Sequence, residues 1–177
     1  MLSFFNSSTE HINKLLILQL IILLIDIMTK KQNNNIPERV VKFINQHHVA
    51  TIATCVDSES WCFNCFYAFV ESEGALIFTS STDTKHIKMV EKNPIVSGSI
   101  VLETKIVGKI RGLQFVGEMQ KVENTENSKY RLKYLAKFPF AVIVNSDLWI
   151  LKLTELKMTD NRLGFGTKLE WKKSVKS

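Results

Sequence analysis

Ile77-Phe78-Thr79-Ser80-Ser81-Thr82-Asp83-Thr84-Lys85-His86 is the stretch on which the reading of this chain turns. An apolar strand runs into a cluster of hydroxyls. A cation and an imidazole follow, at the mouth of a short helix that Asn93-Pro94 terminates. Hydroxyls and backbone N–H groups donate hydrogen bonds, Lys supplies charge, and a helix N-terminus adds a favourable partial charge, so the junction suits a phosphate. Asp83 counts against it, because a carboxylate there repels a dianion; its side chain suits a helix cap that faces away from the site. A capped surface helix with solvated charges shows the same pattern, and the stretch alone leaves both readings open.

Outward from this junction, the periodicity of the chain alternates between helix and strand. Asn35-Ile36-Pro37-Glu38 has capping-box spacing with Pro in the first turn, and Ile36, Val40, Val41 and Ile44 then share one helical face. That helix ends near His47-His48, a pair that reads as a helix terminus because adjacent helical residues do not converge on a metal. Strands are expected over residues 49–56, 61–70 and 75–80, with turns at 57–60 and 71–74. On the second strand Trp61, Phe63, Cys65, Tyr67 and Phe69 share a face that looks like core. Cys62, Asn64, Phe66 and Ala68 share the other, where Asn64 serves either a ligand or a cross-strand hydrogen bond.

A short helix over 84–92 is followed by a β-branched strand pair at 95–103 and 110–122. Gly98, Gly108, Gly112 and Gly117 lie along it, as glycines do at bulges, bends or close approaches. A second helix spans 125–138, its apolar face made by Tyr130, Tyr134, Leu135 and Phe138 and stopped by Pro139. A strand at 147–158 alternates Leu148, Ile150, Leu153 and Leu156 with polar residues and sets Trp149 opposite. A turn at 160–164 leads to a last strand at 168–172. This order predicts an α+β fold with a closed or nearly closed, mostly antiparallel sheet.

Composition bounds the rest. The 177 residues suffice for one domain with a true core, and 45% hydrophobic with 23% charged residues is ordinary for a globular protein. A net charge of +6 suits an anionic ligand. The lysines and arginines are scattered and no nucleic-acid motif is present, so no nucleic-acid partner is expected; the tail Lys172-Lys173-Ser174-Val175-Lys176 reads as a solvated terminus. The three cysteines, Cys55, Cys62 and Cys65, form no disulfide framework. Cys62-x-x-Cys65 sits within a strand, where alternation parts the two thiols, so neither a redox pair nor a metal site is expected.

Residues 15–27 are almost wholly apolar but broken by Gln19 and Asp26, and short of the roughly 20 residues a membrane helix needs. A basic start and a small-residue cleavage site, the marks of a signal peptide, are missing. Met28-Thr29-Lys30-Lys31-Gln32-Asn33-Asn34-Asn35 then reads like the polar start of a cytoplasmic protein. The expectation is a non-core extension over 1–35, with Met28 as the true start, and a folded domain over 36–177. A crude N-terminal membrane anchor is the other reading of the apolar run.

Trp61-Cys62-Phe63-Asn64-Cys65-Phe66-Tyr67, Thr79 through Thr84-Lys85-His86, and Asn93-Pro94-Ile95-Val96 together resemble the FMN-binding split β-barrel superfamily of pyridoxamine 5'-phosphate oxidase. His47-His48-Val49-Ala50-Thr51, Ile110-Arg111-Gly112-Leu113-Gln114-Phe115, Arg131 to Phe140, and Lys157 to Gly166 are similar to its small YhbP-type branch. The likeness runs from about Ile36 to Trp171 and leaves out the first segment. It implies a split β-barrel with flanking helices, a homodimer with FMN at the subunit interface, and an FMN-dependent oxidoreductase of unknown small-molecule substrate. A flavin- or haem-binding module without catalysis is the alternative.

By the same resemblance Thr84, Lys85 and His86 hold the flavin phosphate, with Thr79 and Ser80 beside them. His86 stands where relatives often carry Lys or Arg, a weaker and pH-dependent cation. Asn64, Cys65 and Phe66 lie on the strand that lines the flavin ring, and Gln114 lies on a strand used near the cofactor. No metal ligand is implied. Trp149, Phe115 and Phe140 are candidates for apolar surface shared between two copies.

Overall fold

The computed structural model describes residues 16–22, 24, 35–143 and 146–174, apart from the side chains of 124–127. It divides into two compact units, Met1–Asn35 and Ile36–Ser177. In the first unit, residues 16–22 and 24 are helical with exposed side chains. No helix among the described residues is long and apolar enough to cross a membrane. Met28 and the polar stretch after it, up to Asn34, lie outside the described residues.

The second unit runs α1 (Glu38–Gln46), β1 (Val49–Val56), β2 (Glu59–Phe66), β3 (Ala68–Val70), β4 (Ala75–Ser80), α2 (Lys85–Val90), β5 (Ile95–Leu102), β6 (Arg111–Lys121), α3 (Asn124–Lys137), β7 (Asp147–Asp160) and β8 (Lys168–Lys172). Its strands form one antiparallel sheet in the order β2-β1-β5-β6-β7-β4-β3, with β8 added to β7. The strands at the two ends of that path, β2 and β3, are joined through the single residue Tyr67. A sheet whose ends are consecutive in the chain must curl back on itself. The result is an α+β split β-barrel with flanking helices.

Tyr67 is the corner of this closure. Its N–H donates to His48 O (2.9 Å) and its hydroxyl to Ile44 O (2.7 Å), which ties the corner to α1. Alternation therefore stops at Phe66, and Tyr67, Ala68, Phe69 and Val70 are all buried, where the sequence suggested one unbroken strand over 61–70. The expected core face is also shorter than its pattern: Phe63 and Cys65 are half-buried, but Trp61 is 43% exposed.

Helix α1 begins at Glu38 behind Pro37, with no side-chain cap, so the capping-box spacing forms no box here. It buries Val40, Phe43 and Ile44. Helix α2 packs on β1 and β2, and α3 on β3, β4 and β7. That cover explains why Leu148, Trp149, Ile150 and Leu151 are all buried. Further along β7 the pairing with β6 skips Thr154, whose hydroxyl donates to Val116 O (3.2 Å). This bulge shifts the buried set from Leu151 and Leu153 to Leu156 and Met158, a change of phase that strict alternation does not contain.

Gly117 sits opposite the bulge, where a Cβ would lie 2.6 Å from Lys152 O. Gly98 allows another close approach, with a Cβ 2.4 Å from both Thr51 O and the Phe115 ring. Phe115 and Trp149 are each 3% exposed and belong to the barrel core, so they are not candidates for a shared surface; the Trp149 indole donates to Ser80 O (3.2 Å). Phe140, in contrast, is 86% exposed.

Candidate functional site

The junction between β4 and α2 is held from below by apolar residues. Ile77 and Phe78 end the buried part of β4, and Ile87, Met89 and Val90 anchor α2. Asn93 then fixes the helix exit: its Nδ2 donates to Cys55 O (2.9 Å) and its Oδ1 accepts from Ile95 N (3.1 Å). Between these anchors Thr84 is the N-cap in an extended conformation, and its hydroxyl donates to Ser81 O (2.8 Å). Asp83 accepts the Ser81 hydroxyl and does not cap the helix. That contact is the main cause holding its carboxyl below the usual range. Only six residues long, α2 adds little dipole of its own.

His86 is half-buried and stacked on Phe63, with ring centroids 3.8 Å apart and planes 12° from parallel. Its Nε2 lies 2.8 Å from Ser80 Oγ and 3.2 Å from Thr84 Oγ1. Because Thr84 spends its only hydroxyl proton on Ser81, it can only accept from the imidazole, and the Nε2–H tautomer satisfies both oxygens. Burial holds the His86 pKa below its ordinary 6.5. At neutral pH the ring is therefore an uncharged donor, and Lys85 is the cation of the cluster.

Lys85 projects beside it. Its Nζ is 2.5 Å from Glu59 Oε1 and 4.4 Å from the centre of the Trp61 ring. The hydrogen bond and charge of Lys85 hold the Glu59 carboxyl below the usual carboxylate range. Glu59, Trp61 and Phe63 are alternate residues of β2, so one face of that strand supplies the carboxylate, the indole and the stacking ring. None of the three was singled out from the sequence for this site. The signal is the strand period itself: continued two residues back from Trp61 it reaches Glu59, inside the turn expected over 57–60.

The structure thus gathers Ser80, Thr84, Lys85 and His86. Thr79 alternates with Ser80 along β4 and so lies on the other face of the strand, the side of Tyr134, whose hydroxyl donates to Phe66 O (3.3 Å). Cys65 is half-buried on the inner face of β2, and burial pushes its thiol up to about 12, which leaves it unreactive. Asn64 and Phe66 face outward. Asn64 Oδ1 accepts from Thr51 Oγ1 (2.7 Å), the cross-strand bond, and the Phe66 ring meets Phe138 edge-on at 5.5 Å. Gln114 opens on that outer face too, in a hollow of about 500 Å³ shared with Thr51, Cys62, Ser99, Glu155 and Lys157. Among the described residues, no three His, Cys, Asp or Glu side chains converge as a metal site requires.

No family model matches the sequence. A UPF0306 protein of Photorhabdus laumondii is 37% identical over 132 residues, 75% of this chain and 92% of that protein. Among solved structures the fold resembles a heme-binding protein from Mycobacterium smegmatis, with a TM-score of 0.63 and 18% identity over 73% of this chain and 55% of the other. It also resembles a FAD-binding protein from Mesorhizobium loti, with a TM-score of 0.60 and 13% identity over 70% of this chain and 93% of the other. At such identities the two structures share the fold.

Proposed function

The chain belongs to the UPF0306 family, and from that premise we propose that it is a cytoplasmic FMN-binding flavoprotein of the pyridoxamine 5'-phosphate oxidase-like superfamily that acts as an oxidoreductase. The observation that carries the proposal is the β4–α2 junction, where the Ser80 and Thr84 hydroxyls meet the His86 imidazole and the next residue's ammonium, that of Lys85, lies over the exposed Trp61 ring. This donor set fits one phosphate monoester. Lys85 supplies charge, the Ser80 hydroxyl, accepting from the neutral His86, is left to donate a hydrogen bond, Thr84 and His86 hold it in place, and a flat ring finds an aromatic neighbour in Trp61. Glu59 and Asp83 bring negative charge, and both are already engaged, by Lys85 and Ser81.

FMN, when bound, supplies hydride or electron transfer, and the protein supplies binding and orientation. No side chain of the junction has to serve as a nucleophile. Gln114, Asn64 and Phe66, on the outer face, reach a flavin only across a subunit boundary, so the proposal includes a homodimer. The alternative is a haem-holding module without catalysis, favoured by the likeness to the M. smegmatis heme-binding protein. Protein purified without added ligand, followed by cofactor extraction and mass identification, tests the proposal. A yellow protein yielding FMN supports it. A Soret-dominated spectrum, or a colourless protein that takes up no added FMN, refutes it.

A further inference from the structure

We propose that Glu59 is a built-in competitor for the Lys85 ammonium, an anion carried by the protein that a ligand's phosphate must displace, and that it sets the selectivity of the junction for phosphate monoesters. The inference rests on the phosphate reading of Lys85 given above. Glu59 is the first residue of β2 and follows Asp57 and Ser58, both with positive φ (48° and 67°), as a primed two-residue hairpin turn requires. The turn fixes where β2 starts, and so the point from which the carboxylate reaches toward α2. Its contact with Lys85 joins residues 26 apart in sequence, at 2.5 Å, with the ammonium 4.4 Å from the Trp61 ring. Carboxylate and indole thus hold the ammonium where an incoming anion would use it.

Exposure decides how firm this hold is. The two side chains are 46% and 63% exposed, so solvent and solutes reach both. An exposed ion pair contributes little, and opening it costs little. What replaces Glu59 then matters. A ligand carboxylate exchanges one monoanion for another and gains no charge at Lys85. A phosphate near neutral pH carries up to about two negative charges and three acceptor oxygens, enough to engage Lys85 and the Ser80 hydroxyl together. A neutral ligand leaves the pair closed. Glu59 therefore lowers the affinity of the site for anions in general, and a phosphate overcomes it.

The test is a flavin-fluorescence titration of FMN and of riboflavin, which lacks the phosphate, against the native chain, Glu59→Gln, Lys85→Ala and the double variant. Glu59→Gln should tighten FMN by about two- to five-fold, the worth of an exposed pair, and leave riboflavin unchanged. In the Lys85→Ala background the same substitution should change nothing. Circular dichroism and melting of each variant show whether folding contributes. If Glu59→Gln leaves FMN affinity unchanged or weaker while Lys85→Ala weakens it, the phosphate site stands and the competitor is overturned. A gain shared by riboflavin, or one that persists without Lys85, overturns it too. If Lys85→Ala leaves FMN affinity unchanged, the phosphate site is wrong and the competitor falls with it.

Discussion

His86 and His47 are both half-buried imidazoles held below their ordinary pKa of 6.5, and they differ in the company they keep. His86 is depressed by burial and is surrounded by neutral groups: the Ser80 and Thr84 hydroxyls and the Phe63 ring. His47, at the C-terminal end of α1, is depressed first by burial and then by the charges of Arg111, His48 and Lys137. Its ring packs on Phe43 at 4.3 Å, its carbonyl accepts from Lys137 Nζ (2.9 Å), and its Nε2 is buried with no hydrogen-bond partner among the described residues.

The difference separates two uses of positive charge. Around His47, Lys137 of α3 bonds the carbonyl at the helix C-terminus, Arg111 of β6 reaches the Gln46 side chain (3.5 Å), and both bring positive charge to a helix end whose last turn holds no basic residue. That cluster is structural. Beside His86, Lys85 is paired with an exposed carboxylate, and among the described residues the side-chain donors of this cluster make a single bond to a backbone carbonyl, that of Thr84 to Ser81. In the proposed reading this is the cluster that takes the ligand.

If the contrast holds, Lys137 and Lys85 respond differently to removal. Lys137→Met should destabilise the fold by about 1–2 kcal/mol, the lower part of the range for a charge-assisted hydrogen bond because the ammonium is half exposed. Lys85→Met should change stability by less than about 0.5 kcal/mol, as exposed positions do. Urea unfolding of the two variants measures this, and equal losses would erase the distinction between a structural and a ligand-binding cation.

The pH dependence follows from the direction of the two shifts. Each histidine has a folded pKa below its unfolded value near 6.5, so above that pH both states are neutral and nothing is lost. As pH falls through 6.5 the unfolded chain takes up protons first, and stability declines until the folded pKa values are reached. His47→Gln should flatten the decline that sets in below about pH 6.5. His86→Asn should flatten it less, because burial alone depresses its pKa, without the added charges that act on His47. Melting temperatures across that range in the two variants check the ranking, and a decline untouched by His47→Gln would contradict it.

The smallest effect is expected on ligand affinity at pH 7.5. There His86 is neutral and contributes at most one ordinary hydrogen bond, so His86→Asn should weaken FMN by about ten-fold at most. A loss as large as that for Lys85→Ala would mean that the imidazole is charged in the complex.

Much of this was legible beforehand. The strands at 49–56, 75–80 and 168–172 end where alternation and turn residues say they should. The hydroxyl-rich junction with its Thr-Lys-His was readable as a candidate for the same reason: it is contiguous in the chain. What escaped depends on contacts distant in sequence. The burial of Trp149 and Phe115, whose sequence pattern equally fits a shared surface, follows from α3 lying over β7 and from the gap at Gly98. The break at Tyr67 needs Ile44 and His48, more than fifteen residues back. Glu59 acquires meaning only when a turn and a helix bring it to Lys85. An apolar residue also looks the same in a sequence whether its partner is its own barrel or another copy.

The central claim is that Lys85 meets a phosphate. It is tested most directly by the affinities of FMN and riboflavin for Lys85→Ala, with Lys137→Ala as the control. A charge-assisted contact contributes about 1.5–3 kcal/mol, so Lys85→Ala should weaken FMN by about ten- to a hundred-fold or more and leave riboflavin nearly unchanged. Lys137→Ala should keep the ratio of the two affinities as in the native chain. An unchanged FMN affinity in Lys85→Ala, or an equal loss for riboflavin, would contradict the assignment and return the junction to a capped surface helix.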